Sequence, residues 1–323
     1  MKEWKKLSLV PPLRKPLNDS ISLLCLDMSA ADTAVQVFRN LEPEDFRVLL
    51  AIEVGMSRHR HVPEDVVPKL AKLTQREVEY RLSRLHKLRL IMRWLGPYRG
   101  YQLNMAGYDC LAINALVKAN LLEAFGKPLG VGKEADVYDA LMPEGRRVAV
   151  KFHRLGRTSF RQTRRKRGYI AERQHISWLY QSRLAAQKEF EALKLVHSHG
   201  VSVPEPIQQN RHAVVMGMIE GSELVDCVEI PEPQKVFNEV LLNLRKAYLE
   251  AWVIHADLSE FNVVIQPDGH VLIIDWPQYV RKDHPNAEQL LRRDVRNMVR
   301  FFQRKFKAKT RFKEALAYVK GAA

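Results

Sequence analysis

The segment His255-Ala256-Asp257-Leu258-Ser259-Glu260-Phe261-Asn262 reads H-x-D-x-x-x-x-N, and no other stretch constrains the fold of this chain as strongly. Ahead of it, Val236, Phe237, Val240, Leu241, Leu244, Tyr248, Ala251 and Trp252 recur at helical spacing. Behind it, Val263-Val264-Ile265 and Val271-Leu272-Ile273-Ile274 flank the turn Pro267-Asp268-Gly269, and Asp275-Trp276-Pro277-Gln278 follows. Helix, loop, hairpin and acid in that order predict that Asp257, Asn262 and Asp275 meet at one mouth. An acid that orients a hydroxyl, with an amide and a second acid that hold Mg²⁺, suits phosphoryl transfer.

A second pattern lies upstream. Leu129-Gly130-Val131-Gly132-Lys133-Glu134-Ala135-Asp136-Val137-Tyr138 places two glycines between β-rich segments, which permits a tight backbone turn over phosphates. The following strand, Arg147-Val148-Ala149-Val150-Lys151, delivers a lysine able to reach the α and β phosphates of ATP as a point charge. The helix expected over 177–198 turns Leu179, Leu184, Phe190, Leu193 and Leu195 inward and carries Glu189 and Glu191. One of these acids is expected to pair with Lys151; Glu189 is preferred, but periodicity leaves both open. Ala213 to Gly221 reads as a buried strand running into a flexible joint. In a kinase-like fold the main chain of Met216, Gly217, Met218 and Ile219 would meet adenine there.

Two features depart from an ordinary protein kinase. Between Lys151 and the helix lies a dense basic insert, Arg154-Leu155-Gly156-Arg157-Thr158-Ser159-Phe160-Arg161-Gln162-Thr163-Arg164-Arg165-Lys166-Arg167-Gly168, assigned to a flexible segment over 154–176. A like-charge run without an apolar period is expected to be mobile, to order on RNA, or to offer Ser159 or Thr158 for self-phosphorylation. After Asp275 come only an amphipathic helix from Ala287 to Val299 and one basic terminal helix. With no A-P-E motif, a peptide is not expected to dock as in ordinary protein kinases.

The first third reads differently. Residues 1–30 form an irregular arm, and residues 31–104 a small domain. Pro43-Glu44-Asp45 opens one helix, Pro63-Glu64-Asp65 a second, and Thr74-Gln75-Arg76-Glu77 caps a third. That third helix turns Val78, Leu82, Leu85 and Leu88 inward and Arg76, Arg81, Arg84 and Lys87 largely outward. Leu90 to Trp94, the turn Gly96-Pro97-Tyr98-Arg99-Gly100, and Tyr101-Gln102-Leu103 make a hairpin. Three helices and a hairpin are a winged helix, with Arg93 and Arg99 on the wing, suited to phosphate or shape recognition of nucleic acid. Residues 105–122 form a connecting helix. The net charge of +15 favours a polyanionic partner. No apolar run reaches the length of a membrane span and no signal peptide opens the chain, so a cytoplasmic protein is expected. Cys25, Cys110 and Cys227 are isolated, and the pairs His59/His61 and His197/His199 lack companions that would complete a metal site.

At Gly130-Val131-Gly132-Lys133-Glu134, at His255 through Asn262 and at Ile274-Asp275-Trp276-Pro277-Gln278, the chain resembles the RIO-type atypical serine/threonine protein kinases. The winged helix and Lys151-Phe152-His153-Arg154-Leu155-Gly156-Arg157-Thr158-Ser159-Phe160 point to the winged-helix-bearing second subfamily, and the length resembles archaeal members. The resemblance implies an α+β fold: a winged helix followed by a trimmed two-lobed kinase domain, with an N-lobe over 123–219 and a reduced C-lobe over 220–323. It implies ATP with Mg²⁺ or Mn²⁺, autophosphorylation on serine, ATPase activity and a part in maturing the small ribosomal subunit; nothing in the sequence demands an oligomer, so a monomer is expected. The pre-subunit particle and its rRNA would be met by the winged helix and the basic insert.

Carried over residue by residue, Asp257 is the catalytic acid/base, Asn262 and Asp275 are metal ligands, Lys151 grips phosphate and Glu189 orients it. Gly130, Val131, Gly132, Lys133, Glu134, Ala135 and Val137 cover the triphosphate. Ala135 departs from the serine or glycine common in related loops. In eukaryotic relatives the metal-binding aspartate takes up the phosphoryl group transiently, and Asp275 occupies that position. Two rivals remain at this stage: a small-molecule phosphotransferase, which shares H-x-D-x-x-x-x-N, and an ATP-sensing assembly scaffold.

Overall fold

The fold is taken from a computed structural model that describes Lys5–Lys6, residues 29–155 and residues 178–322. Within these limits the chain packs as two compact units. The first comprises residues 1–184 with 210–213, and the second residues 185–209 with 214–323. Thr158 and Ser159, the expected phosphate acceptors of the basic insert, lie outside the described residues, as do most of that insert and most of the N-terminal arm.

The first unit opens with a two-residue strand, β1 (Lys5–Lys6), and a helix absent from the sequence expectation, α1 (Ala30–Val37). Ser29 starts it through a capping box: its hydroxyl accepts from Asp32 N at 3.0 Å, and the Asp32 carboxylate accepts from Ser29 N at 3.2 Å. Helix α2 (Pro43–Gly55) begins at a proline and buries Phe46, Val48, Leu49 and Ile52. Next, β2 (Val62–Pro63) stands where a helix start is expected at Pro63-Glu64-Asp65. Pairing wins there over the proline signal: Val62 faces Tyr101, Pro63 faces Gly100, and Glu64 N donates to Arg99 O at 3.1 Å. The short α3 (Val67–Ala71) then starts at the next proline, Pro68.

Helix α4 (Gln75–Lys87) is capped by Thr74 and buries Val78, Leu82 and Leu85. Its arginines do not all face outward. Arg81 is 7% exposed; it lies 2.8 Å from Glu42 and 3.4 Å from the fully buried Asp45, and donates to Glu77 at 2.7 Å. Arg84 also binds Asp45. Burying the α2 carboxylate requires these two cations, so only Arg76 and Lys87 of the expected four remain exposed. The wing is β3 (Ile91–Leu95) with β4 (Arg99–Leu103), and the sheet order is β2-β4-β3. Trp94 stacks on His61 with ring centres 4.8 Å apart. A Cβ at Gly96 would lie 2.1 Å from the Trp94 ring, so any other residue at the wing tip would displace that ring from its stack on His61.

Helix α5 (Met105–Lys118) follows directly, with Asn104 accepting from Gly107 N at 3.0 Å. It stops short of the expected residue 122 and is buried on nearly every side, Asp109 and Asn114 included. Three antiparallel strands complete the unit: β5 (Ala124–Val131), β6 (Ala135–Leu141) and β7 (Arg147–His153), with β1 pairing with β5.

Helix α6 (Trp178–Ser198) passes from the first unit into the second. It turns Leu179, Ser182, Ala186, Glu189, Leu193 and Val196 inward, whereas Leu184, an expected core residue, is 43% exposed. The hairpin of β8 (Pro206–Asn210) and β9 (Ala213–Gly217) follows, then β10 (Ser222–Glu223). Helix α7 (Pro233–Leu249) buries the predicted Val236, Phe237, Val240, Leu241 and Leu244. Trp252 lies past its end, left-handed at φ 58° and exposed, so it does not continue the apolar face. The rest of the unit consists of β11 (Val253–Ile254), β12 (Val263–Ile265), β13 (Val271–Ile273), β14 (Val280–Arg281), α8 (Ala287–Phe306) and α9 (Phe312–Lys320). No helix among the described residues is long and apolar enough to cross a membrane.

Removing Arg81 strands a buried carboxylate. Arg81→Ala should cost about 3 kcal/mol in chemical denaturation, against about 0.5 kcal/mol or less for the exposed Arg76→Ala. Equal losses for the two variants would show that the buried cluster contributes nothing specific.

Candidate active site

In the second unit the register of one hairpin brings the segments that carry Asp257, Asn262 and Asp275 next to one another. Strands β12 and β13 pair Val263 with Ile273. One step beyond, Ile274 N donates to Asn262 O at 3.0 Å, which brings Asp275 beside Asn262. Asn262 Nδ2 donates to Asp257 O at 3.0 Å, closing the loop that carries the acid. That bond commits the amide nitrogen and leaves Oδ1 as the atom Asn262 can offer a cation. Asp257 is exposed, whereas Asn262 and Asp275 are half-buried.

His255 is the loop's anchor. It is fully buried, its Nε2 lies 2.9 Å from Ile274 O, and Asp257 N donates to its Nδ1 at 3.3 Å. These partners fix a neutral tautomer protonated on Nε2. Burial lowers its pKa, against the opposing pull of the Ile274 carbonyl and of the charges on Asp275, Asp257 and Glu189. Trp276, also fully buried, packs against the imidazole at 4.7 Å. Ala256 and Asp275 both adopt left-handed backbone, with φ of 64° and 68°. Non-glycine residues held in that region concentrate at functional sites.

Three α8 side chains hold this loop from behind, and none was singled out in the sequence. The Asp294 carboxylate accepts from Ala256 N at 2.7 Å and from Leu258 N at 3.3 Å. Asn297 Nδ2 donates to Leu258 O at 3.0 Å. Arg293 donates to Ala256 O and lies 3.9 Å from the Asp257 carboxylate. A signal for Asp294 existed: it falls between Leu291, Val295 and Met298 on the apolar face of an otherwise regular amphipathic helix. Burial raises its pKa to about 7 despite the two backbone donors and Arg293.

Glu189 is 1% exposed on α6, whereas Glu191 is exposed and accepts from Gln187 at 3.0 Å. In the proposed adenine segment Met216 is buried, and Gly217 N already donates to Glu205 O at 2.9 Å. Other main-chain groups of 216–219 would therefore have to meet a base.

In the first unit, Gly132 N donates to Ala135 O at 2.8 Å across the turn from β5 to β6. Gly130, Val131, Gly132, Lys133 and Glu134 are exposed, and Ala135 and Val137 half-buried. Neither Gly130 nor Gly132 has a positive φ, so the glycines are not needed for left-handed torsion. A Cβ at Gly130 would meet nothing within 4 Å. Nothing within the protein itself therefore requires glycine at position 130. Lys151 sits opposite Val137 in the β6–β7 register. Arg154, counted in the mobile insert, is instead 1% exposed and ion-paired to Asp109 and Asp136, because its fork satisfies two carboxylates buried beside it.

These arrangements match a known family. Residues 136–315 match the family described as the RIO domain, and residues 38–119 the one described as Rio2, N-terminal. The chain belongs to the RIO kinases, in their Rio2 branch. It is 47% identical over 254 residues to the RIO-type serine/threonine-protein kinase Rio2 of Methanocaldococcus jannaschii, covering 77% of this chain and 92% of that one. It is 38% identical over 276 residues to the serine/threonine-protein kinase rio2 of Schizosaccharomyces pombe, covering 85% and 80%. The Rio2 kinase of Chaetomium thermophilum, solved as an ADP/Mg²⁺–phosphoaspartate complex, superimposes with a TM-score of 0.76 at 36% identity, over 88% of each chain. Rio2 membership accounts for the winged helix and the kinase domain on one polypeptide.

Asp294 also sets a pH dependence. Its folded pKa lies above that of an unfolded aspartate, so folding favours the protonated form; this contribution is complete below about pH 4 and is lost as pH rises through about 7. Asp294→Asn should flatten the decline in stability between pH 5 and 8, over which the wild type loses on the order of 2–4 kcal/mol. Parallel stability–pH curves for the two proteins would mean that Asp294 titrates normally.

Proposed function

We propose that the chain is an ATP-dependent serine/threonine protein kinase, and an ATPase, that autophosphorylates and acts in maturation of the small ribosomal subunit. The observation that carries the catalytic part is the bonded loop in which Ile274 N meets Asn262 O and Asn262 Nδ2 meets Asp257 O. It ties the backbone of an exposed acid to the two segments that carry the oxygen donors.

In this reading Asp257 receives the proton of the attacking hydroxyl or water and holds it in line with the γ-phosphorus. Asn262 Oδ1 and the Asp275 carboxylate are hard oxygen donors, too few to cage a cation alone but suited to Mg²⁺ or Mn²⁺ that keeps water and phosphate oxygens in its shell. Among the described residues no group of three or more His, Cys, Asp or Glu side chains is placed to hold a metal. When bound, the ion offsets charge on the phosphate oxygens. The first unit contributes Lys151 as a phosphate cation and the hairpin Gly130–Val137 as a backbone cover. Glu189 serves as the acid that orients the lysine, supported by its burial. The phosphoaspartate seen in the fungal Rio2 makes Asp275 the proposed acceptor here: its carboxylate oxygen bonds to the γ-phosphorus as the bond to the β–γ bridging oxygen breaks, releasing ADP.

The proposed partner is small-subunit precursor rRNA, supported by the net charge of +15 and by the winged helix. Between α4 and the wing, His86, Lys87, Arg93 and Arg99 line a cavity of about 380 Å³ together with Glu64, Glu79 and Tyr101. Arg93 and Arg99 are exposed on the wing, Arg99 lying 3.3 Å from Glu64. Such cations suit phosphate contacts that fix position without reading bases. The domain limits 1–30, 31–104, 105–122, 123–219 and 220–323 are retained as functional segments within this proposal.

Asp257→Ala should abolish turnover, by 10³-fold or about that, while ATP still binds; strong residual hydrolysis would remove Asp257 from its role. Asp275→Ala should weaken nucleotide binding only when Mg²⁺ is present, and an unchanged affinity across a Mg²⁺ titration would exclude it as a ligand. Single-turnover ATP hydrolysis with and without small-subunit precursor RNA tests the cellular role. Stimulation by that RNA is the expected result, and indifference to it would leave the kinase without this partner.

A further inference from the structure

A buried polar cluster of the first unit lies outside the machinery assigned above. Its centre is Arg154, whose Nε donates to Asp136 at 2.8 Å and whose Nη1 and Nη2 donate to the two oxygens of Asp109 at 2.7 and 2.9 Å. Asp109 and Asp136 are both 0% exposed. His212, at the tip of the β8–β9 hairpin, places Nε2 2.5 Å from Asp109 Oδ1 and stacks on Tyr108 at 4.5 Å. The main chain is tied as well: Arg154 N donates to Glu134 O at 2.7 Å, and Leu155 N to Ser182 Oγ at 3.1 Å.

The sequence positions of these partners give the cluster its meaning. Asp136 follows the glycine-rich turn directly, and Glu134 belongs to that turn. Asp109 lies on α5, the helix that leaves the wing strand β4 through the cap at Asn104. One arginine, by its guanidinium and by its backbone N–H, therefore fastens the glycine-rich turn to the helix continuous with the winged helix. A fork that engages two carboxylates at once fixes distance and angle together, which a lysine cannot do.

We propose that Arg154 is a positioning residue that sets the glycine-rich turn against α5, so that nucleotide affinity depends on the helix leading out of the wing. The proposal rests on the reading that this turn covers the phosphates of ATP. Nothing in it requires Arg154 to touch nucleotide.

The test uses the full chain with Arg154→Lys and Asp109→Asn, which keep the volume and alter the fork from opposite ends. Titration with ATP and Mg²⁺ should show Kd and KM raised about tenfold in both variants, with kcat within about twofold of wild type. Hydrogen exchange should quicken at Gly132 to Val137 in Asp109→Asn and stay unchanged at β12 and β13. A fall in melting temperature with unaltered KM and unaltered exchange at the turn would reduce the cluster to a fold-stabilising one and overturn the proposal. If Arg154→Lys does not fold, Asp109→Asn and Ser182→Ala, which removes only the Leu155 N acceptor, give the same two outcomes. If wild type binds no ATP, the functional reading fails, while the exchange measurement still decides whether α5 holds the turn.

Discussion

A carboxylate withdrawn from water holds the backbone on which the proposed chemistry stands. Asp294 accepts the N–H groups of Ala256 and Leu258, one on each side of Asp257, and no rotation of the acid's own side chain alters where its Cα is held. Ala256 is left-handed at φ 64°, a conformation an alanine does not adopt without external constraint. Asp294, Asn297 and Arg293 supply that constraint from a single face of α8. His255 then spans from the loop to Ile274, so the acid and the second carboxylate are referred to one buried ring. Preorganisation of this kind is what phosphoryl transfer needs from a protein, because positioning and electrostatics do most of the work.

The motif-bearing parts were legible in the sequence because each is local. The H-x-D-x-x-x-x-N loop, the turn at Gly269 and the alternation of β12 and β13 all fall within one stretch of about twenty residues, 255–273, and the register follows from the turn. The winged helix was readable for the same reason, through its caps and the wing glycine. What stayed hidden depends on partners far away in sequence. Val62 and Pro63 look like a helix start until Tyr101 and Gly100 pair with them. Arg81 and Arg84 look solvated until Asp45 is buried 36 and 39 residues away.

Arg154 shows the same limit at its sharpest. Placed at the head of a run of arginines, it reads from composition as one more solvated cation, yet two carboxylates from other elements converge on it. Charge density along a chain predicts solvation only on average; one member of a basic run is free to be the counter-ion of a buried acid. The acids most telling for this chain, Asp45, Asp109, Asp136 and Asp294, are all fully buried, and each sits on an element that otherwise reads as apolar or ordinary.

The little strand at Lys5–Lys6 has a colloidal consequence. Any sheet whose outermost strand is β5 would offer unpaired N–H and C=O groups as a template for a neighbouring molecule. Backbone pairing of Lys5 with Phe125 and Lys6 with Ala124 caps part of that margin from within the same chain. Trimming the first few residues would uncover it, so truncated forms should self-associate more readily than the intact chain, whatever becomes of their chemistry.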